Sequence, residues 1–489
     1  MEVSTAQERI KETDMNKEFS GQSVSNIPFS KIQTKGVKTL LGEPKKAVIK
    51  LALPMIAAMS LQTVYNFVDA IWVSGLGADA LSAVGFFFPF FFMSMAIARG
   101  LGLGGGSAIS RRIGSRDKKG ADNVAVHTIV IMLLMAVVFT IPLFIFAEKI
   151  FILLGAGRTL TTTISYARIM FAGIPIIFFV NIAGAILRGE GDAKRAMFAM
   201  ALGSGINIVL DPIFIYTLKL GVAGAAWATI LSFFVTSLML FNWLFLKKDS
   251  YVSFIFRKFR FKRKIVTDIF KVGLPASFQQ LSMSFTMLII NLILVYIAGT
   301  DGVAIYTTGW RVVTIATLPL LGIATAVVSV SGATFGQGDF KKLNTAFIYA
   351  LKIGIAIEVL IAIATFLLSP QITAMFTRAR DAARITDDLL LFLRIICLFY
   401  PTTAFGMFSS SMFQGVGKGV NALIATIIRT IILTLLFSVF FALILKMELV
   451  GVWLGILAGN TIGAMINFLW AKKYICSLIT ARRFPILSG

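Results

Sequence analysis

KLALPMIAAMSLQ at residues 50–62 returns as KVGLPASFQQLSM at residues 271–283, with Pro54 aligned to Pro275. The correspondence continues along the chain. RIMFAGIP (168–175) matches RIICLFYP (394–401), RGEGDAKRA (188–196) matches QGVGKGVNA (414–422), and Trp227 matches Trp453, at an offset that stays between 221 and 226 residues. The chain is therefore one unit written twice, and hydropathy says what the unit contains. Of 489 residues 57% are hydrophobic and 14% charged, with a mean hydropathy of +0.87, far too apolar for a soluble multidomain protein. Stretches of about 20 to 28 residues, long enough to cross a bilayer, fall near 47–74, 80–108, 122–147, 160–187, 194–217, 221–246, 266–298, 303–331, 343–368, 385–413, 419–445 and 449–473. This predicts an all-α polytopic membrane protein of twelve transmembrane helices in two pseudo-symmetric six-helix lobes. Six is even, so both copies enter the membrane the same way and an axis along its normal relates them. A cleft between two such lobes can open alternately to either side.

The formal charge of +23 raises nucleic acid as a partner, but the basic residues sit in loops of one parity and not on an aromatic-interleaved module. Nineteen lie in the loops after even-numbered spans, from Arg111 and Arg112 through Lys262 to Lys418, against seven in the opposite loops. The positive-inside rule then places both termini in the cytoplasm and the chain in the cell membrane. The organisation follows: a polar tail over 1–44 without a cleavable signal, a lobe over 45–246, a basic linker over 247–264, a second lobe over 265–475 and a tail over 476–489. The run FRKFRFKRK (256–264) is a topology determinant or a contact for anionic lipid headgroups.

Two cysteines, Cys397 and Cys476, and one histidine, His127, cannot assemble a zinc site or a nucleophile with its base, so no enzyme and no cofactor is expected. GLGLGGGS (100–107) contains G-x-G-x-x-G, yet it continues a membrane span and follows no strand. Small residues there serve close helix packing.

Two acids break the apolar pattern. Asp69 lies in VYNFVDAIWV and Asp211 in NIVLDPIFIY, each with a polar residue four positions earlier, Tyr65 and Asn207, on the same helix face. An ionised carboxylate in mid-membrane costs about 2.5 to 3.5 kcal/mol or more. At 1.5 Å per residue Asp69 stands about 28 Å from Lys50 and Asp211 about 26 Å from Lys194, so they share a level in the outer half. Thr229 and Tyr166 come down to the same layer. Two carboxylates with neutral oxygens suit a small hard cation such as sodium; equally, two close carboxylates cannot both stay charged cheaply and can hold a proton. The sequence leaves both readings open. The repeat places Ile290 and Phe437 opposite these acids, so the second lobe keeps the framework and lacks them. Arg311, Glu358, Arg394 and Arg429 interrupt second-lobe spans, where interhelical ion pairs are expected. Arg168 and Arg394 match between repeats and suggest a shared framework role. Gln279, Gln280, Met283 and Met287 in the seventh span, with Met407 and Ser410 in the tenth, are candidates for an adaptable cleft wall.

The combination of P-x14-D from Pro54 to Asp69, RGEGDAKRA after the fourth span, N-x3-D-P at 207–212 and GAAWAT at 224–229 resembles the multidrug and toxic compound extrusion (MATE) family, in its archaeal DinF-like branch, over about residues 36–475. The resemblance implies a V-shaped, monomeric exporter that exchanges protons or sodium for bulky, often cationic amphipathic compounds, and it implies lipid contacts. It places a cation network at Asp69, Asn207, Asp211 and Thr229, with Gln62, Tyr65 and Tyr166 nearby and a first helix bending at Pro54. Relatives can carry an Asn where Gly184 stands; Asn181, nearly one turn away, is the candidate to compensate. A lipid or lipid-linked saccharide flippase of the same wider architecture is the alternative.

Overall fold

A computed structural model describes residues 33–247, 249–256, 259–378 and 380–483; the expectations for the first 32 residues and the last six lie outside them. The described chain is helical and without strands. Ten helices are long and apolar enough to cross a membrane, and counting each of two bent pairs as one span gives twelve. The first lobe holds Pro44–Ser74, Ala78–Gly114, Lys118–Ile145, the bent pair Gly157–Ala172 and Ile174–Gly189, Ala193–Thr217 and Gly221–Leu246. The second holds Arg263–Ala316, Leu318–Gly336, Phe340–Phe376, the bent pair Ala383–Ile396 and Phe399–Gly415, Gly419–Ile444 and Glu448–Ala481.

The bends have local causes. The fourth span turns by 44° at Gly173 and the tenth by 50° around Leu398, each just ahead of a proline, Pro175 or Pro401, whose ring cannot sit behind a straight helix without clashing. The helix Arg263–Ala316 leaves helical geometry only at Gly299, whose φ of 60° and ψ of −144° only glycine adopts freely, so residues 300–316 begin the eighth span that Leu318–Gly336 completes.

Glycines at 100–106 let the second span touch three neighbours at once. A side chain at Gly100 or Gly104 would meet Gly273 of the seventh span, at Gly102 or Gly106 it would meet Ala185 of the fourth, and at Gly105 Thr128 of the third. The first of these contacts joins the lobes. Across the same seam Ser277 donates to the Ala96 carbonyl at 3.0 Å and Ser329 to the Arg188 carbonyl at 2.9 Å. Arg111 pairs with Asp268 at 2.7 Å and donates to the Gly415 carbonyl at 3.1 Å. Gly322 and Gly336 pack against Ile56 and Arg111. All these contacts belong to the half near the basic loops, called here the basic face. Among the described residues no hydrogen bond or ion pair joins the lobes farther out, where Phe67 and Ile71 on the first span and Met283, Phe285 and Met287 on the seventh are exposed. The lobes thus form a V, closed at the basic face and open at the far face.

Several expectations are corrected. Among the described residues Arg429 donates to Asn460 at 2.7 Å and has no acidic partner, while both Glu358 carboxyl oxygens are buried without a hydrogen-bond partner. The two charges lie on spans whose neighbours keep them apart, so neither forms the expected ion pair. Arg311 is exposed. Arg168 reaches Glu148 at 4.0 Å, whereas its repeat partner Arg394 stacks on Phe366 at 5.5 Å; matched position here does not mean matched contact. Gln279 and Ser410 do not line the cleft. Gln279 is buried, donates to the Ala422 carbonyl and to Thr426, each at 2.7 Å, and accepts from Gln414 at 2.6 Å, with Ser410 3.5 Å from the same threonine. Met407 packs against the core. Gln280, Met283 and Met287 are exposed on the parting half of the seventh span.

Candidate functional site

Four spans of the first lobe converge in its far half. The first contributes Tyr65 and Asp69 one turn apart, the fifth Asn207 and Asp211 likewise, the sixth Thr229 and the fourth Tyr166. Asp211 is fully buried at 0% exposure, Asn207 and Thr229 at 2% and 9%, and Asp69 is half-buried. The six side chains lie within electrostatic reach of one another: Tyr65 of both acids, Tyr166 and Thr229, Tyr166 of both acids, and Asp211 of Asp69 and Asn207. The structure therefore brings together the residues that spacing and depth had placed on one level.

What the cluster lacks is as informative as what it holds. Asn207 donates through Nδ2 to the Thr229 hydroxyl at 3.4 Å, yet its Oδ1 and both Asp211 oxygens are buried with no hydrogen-bond partner. Asp69 and Asn207 stand within side-chain hydrogen-bonding reach of Asp211, and between the two carboxyls such a bond needs a proton on one of them. No described arginine or lysine pairs with either acid. Leaving buried polar atoms unmet costs about 1 to 3 kcal/mol each, more for charged groups, so these oxygens fit a cation or a proton as their partner and not a finished structural bond. Carboxylate, amide and hydroxyl oxygens are the donor set a hard monovalent ion takes.

Local sequence shapes the surroundings. Pro212 has no N–H for the Ile208 carbonyl, and the helix widens to π-helical geometry over Ile213–Thr217, an irregularity frequent at functional sites. Directly beyond, Tyr216 donates to the Trp72 carbonyl at 2.6 Å and meets the Trp72 ring edge-on at 6.1 Å. Beside this pair Val73, Ile215 and Ala225 form an apolar cluster with Trp72, Leu76, Val84 and Tyr166. Sequence reading missed Tyr216; its place five residues past Asp211, like Trp72 three past Asp69, was the available signal.

The remaining candidates fall outside the cluster. Asn181 donates to its own helix at Ile177, 2.9 Å away, and its amide lies 3.9 Å from Met95 Sδ, so it does not reach the acids. A side chain at Gly184 would meet the Arg188 guanidinium at 3.2 Å; an asparagine there would compete with that arginine for space. Gln62, half-buried two turns before Asp69, hydrogen-bonds none of the six. Pro54 sits inside the unbroken first helix, about 22 Å from Asp69 at 1.5 Å per residue.

With fold and cluster in place, the comparisons decide the family. The family model described as MatE matches twice, over residues 54–213 and 275–440. The chain belongs to the MATE family. Each match covers one copy of the repeat. Multidrug export protein MepA of Staphylococcus aureus is 28% identical over 386 residues, 78% of this chain and 83% of MepA. Probable multidrug resistance protein YoeA of Bacillus subtilis is 25% identical, over 87% of this chain and 94% of its own. Among solved structures, an outward-facing conformation of a multidrug resistance MATE family transporter of the MOP superfamily is similar at 48% identity with a TM-score of 0.89, covering 92% of this chain and 99% of that one. A MOP superfamily transporter from Pyrococcus furiosus, for which reverse polarity of the binding pocket suggests a different function, is 48% identical with a TM-score of 0.88, over 91% of this chain and 99% of that one. This chain is thus a multi-pass membrane transporter of twelve spans in two lobes, and not an enzyme.

Proposed function

We propose that this MATE transporter is a secondary active exporter that exchanges protons, sodium ions or both for amphipathic, often cationic, organic compounds by alternating access. The observation that carries the coupling is the unmet Asp211 carboxyl beside Asp69, in a lobe whose copy has no acids at the matching positions. MepA and YoeA, described as multidrug export and resistance proteins, support drug efflux as the task. The basic face is cytoplasmic by its excess of lysine and arginine, so the open V faces outward in the cell membrane of a prokaryote, and the chain works as a monomer without a cofactor.

Coupling needs the cation to bind the two conformations unequally. In the open V, a proton or sodium ion reaching Asp69 and Asp211 satisfies their oxygens and those of Asn207 and Thr229. Drawing the first and fifth spans onto one cation rearranges the first helix, where Pro54 is the weak point of the hydrogen-bond ladder. That change lowers affinity for the cargo held between the first span and the exposed wall of Gln280, Met283 and Met287. Proteoliposomes with independently imposed proton and sodium gradients test this: dye should accumulate against its gradient when either ion flows inward, and accumulation without any ion gradient would refute it.

A second reading, translocation of a lipid or lipid-linked saccharide, gains support from the reversed pocket polarity described for the Pyrococcus furiosus relative. It predicts headgroup-dependent flipping in liposomes, which the drug-export reading does not require.

A further inference from the structure

The vertex of the V carries two arginines that nothing in the coupling scheme uses. Arg99 lies on the second span twelve residues before Arg111, about 18 Å from the basic face, and it is exposed although Ala96, Ala98, Gly100 and Leu101 around it are buried. Its helix face is that of Gly106 and Ser110, seven and eleven residues on. Gly106 packs on Ala185 of the fourth span and Ser110 lies against Gly332 of the eighth, donating to the Gly189 carbonyl at 2.7 Å. Arg99 therefore looks along the seam where fourth and eighth spans part. The basic face is sealed below it, so its exposure is to the cleft.

Arg188, on the fourth span, is within electrostatic reach of Arg99. Its carbonyl accepts from Ser329 of the other lobe, and its guanidinium folds back a turn into the space that Gly184 leaves open. Both spans run toward the basic face, and helical side chains lean toward their N-termini, so both guanidinium groups tilt toward the opening. Among the described residues neither makes a hydrogen bond or meets a carboxylate within 4.0 Å. The nearest elements offer no counter-charge: Leu51 and Met55 come from the first span, Thr325, Ala326 and Ser329 from the eighth. Asp69 and Asp211 face each other in the far half of the first lobe, and Glu358 is sealed inside the second at 0% exposure. The repeat puts Leu321 and Gln414 opposite Arg99 and Arg188, so the pair is confined to one lobe.

Two like charges held together at the vertex of the cleft without partners are expensive, and a planar, always-charged guanidinium pair matches a phosphate or carboxylate. Farther from the basic face the first span exposes Phe67 and Ile71, and the seventh exposes Met283 and Met287 one turn apart. We propose that Arg99 and Arg188 form an anion-binding floor of the cleft, and that the transporter takes amphiphiles whose phosphate or carboxylate head sits on this floor with the apolar tail between the lobes. The proposal rests on the cleft being the transport route and reverses the expected charge of the preferred cargo.

Its test is binding by the full chain in nanodiscs of zwitterionic lipid, using three fluorescent probes with the same C12 tail and a carboxylate, a hydroxyl or a trimethylammonium head. The carboxylate should bind at least about ten-fold tighter than the ammonium, the scale of one charge-assisted hydrogen bond. Arg99→Gln with Arg188→Gln should abolish that preference, while Arg99→Lys with Arg188→Lys, which keeps the charge if glutamine disturbs folding, should retain most of it. Tighter binding of the ammonium probe, or an unchanged preference in the folded glutamine variant, would overturn the proposal. In proteoliposomes, flipping of a labelled phosphatidylglycerol identifies a lipid head as the source and extrusion of the free carboxylate probe identifies a soluble amphiphile. Export of cationic dye alone would sink the anion floor and leave the antiporter standing; anion binding without ion-driven transport would do the reverse.

Discussion

Asp211 sits with both oxygens buried and unmet, Asn207 Oδ1 beside them in the same condition, and Thr229 is the one residue that already satisfies part of the group. Its hydroxyl accepts from Asn207 at 3.4 Å and can offer a lone pair to an ion. Thr229→Val keeps the shape and removes that oxygen, so the sodium or proton concentration needed for half-maximal transport should rise about five- to ten-fold, on the order of 1 kcal/mol. Thr229→Ser should restore it; an unchanged ion dependence in the valine variant would remove Thr229 from the site. Glu358 poses the opposite case, a buried carboxyl with no hydrogen-bond partner among the described residues. Glu358→Gln exchanges an expensive ionisable group for a neutral one of the same shape, so detergent-solubilised protein should melt at the same temperature or higher, and a drop of several degrees would reveal an ion or contact that needs the carboxylate. At this scale the cluster was legible because buried acids are rare, and i, i+4 companions with matched depth put them together. Arg99 and Arg188 were not, since an arginine in a span reads the same whether it meets a carboxylate or a cleft. The ion pairs expected for Arg429 and Glu358 failed for the same reason: spacing along a chain fixes height and says nothing of which neighbour a helix turns toward.

Single elements carry strain and switching. The linker after the sixth span is tied to the first lobe at four places: Arg195 pairs with Asp249 at 2.7 Å, Asp122 accepts from Ser253 N at 2.7 Å, His127 Nε2 accepts from Lys262 N at 3.0 Å, and Glu190 accepts from Ser250 Oγ, Tyr251 N and Val252 N. Glu190 lies just past the end of the fourth span. Burial pushes its carboxyl up to about 7, against the opposing pull of Ser250 and the linker amides. The folded protein thus holds this proton more tightly than the unfolded chain, whose carboxyl keeps the ordinary 4.5. Ionising Glu190 therefore costs folding stability, a cost absent below 4.5, growing as pH rises and complete above about 7. Between about pH 5 and about pH 8 the wild-type melting temperature should fall relative to that of Glu190→Gln; parallel profiles would show that Glu190 does not titrate there. The spans themselves were legible from apolar length. The breaks at Gly173 and Leu398 and the near-continuous helix from Arg263 to Ala316 were not, because a proline marks a possible bend without stating its angle.

At the scale of the molecule, duplication was readable from the repeated motifs, and the V was legible only once the contacts showed where the copies touch. The seam is held on the basic face by Arg111, whose guanidinium reaches Asp268 and the Gly415 carbonyl while its backbone meets Gly336. A hydrogen-bonded charge in such a place contributes about 2 kcal/mol, so Arg111→Ala should shift the balance between outward-open and inward-open forms about thirty-fold toward the latter. Distances between spin labels across the two faces read that shift; unchanged distributions would mean that the glycine contacts alone hold the seam. The acids and the seam together define the central claim, that cation occupancy of the first lobe drives the swing of both. Asp211→Asn reconstituted in liposomes tests it most directly, with dye counterflow and ion-driven dye accumulation measured on the same vesicles. The variant should keep counterflow, because the cleft is intact, and lose accumulation under imposed proton and sodium gradients; accumulation at the wild-type level would contradict the account.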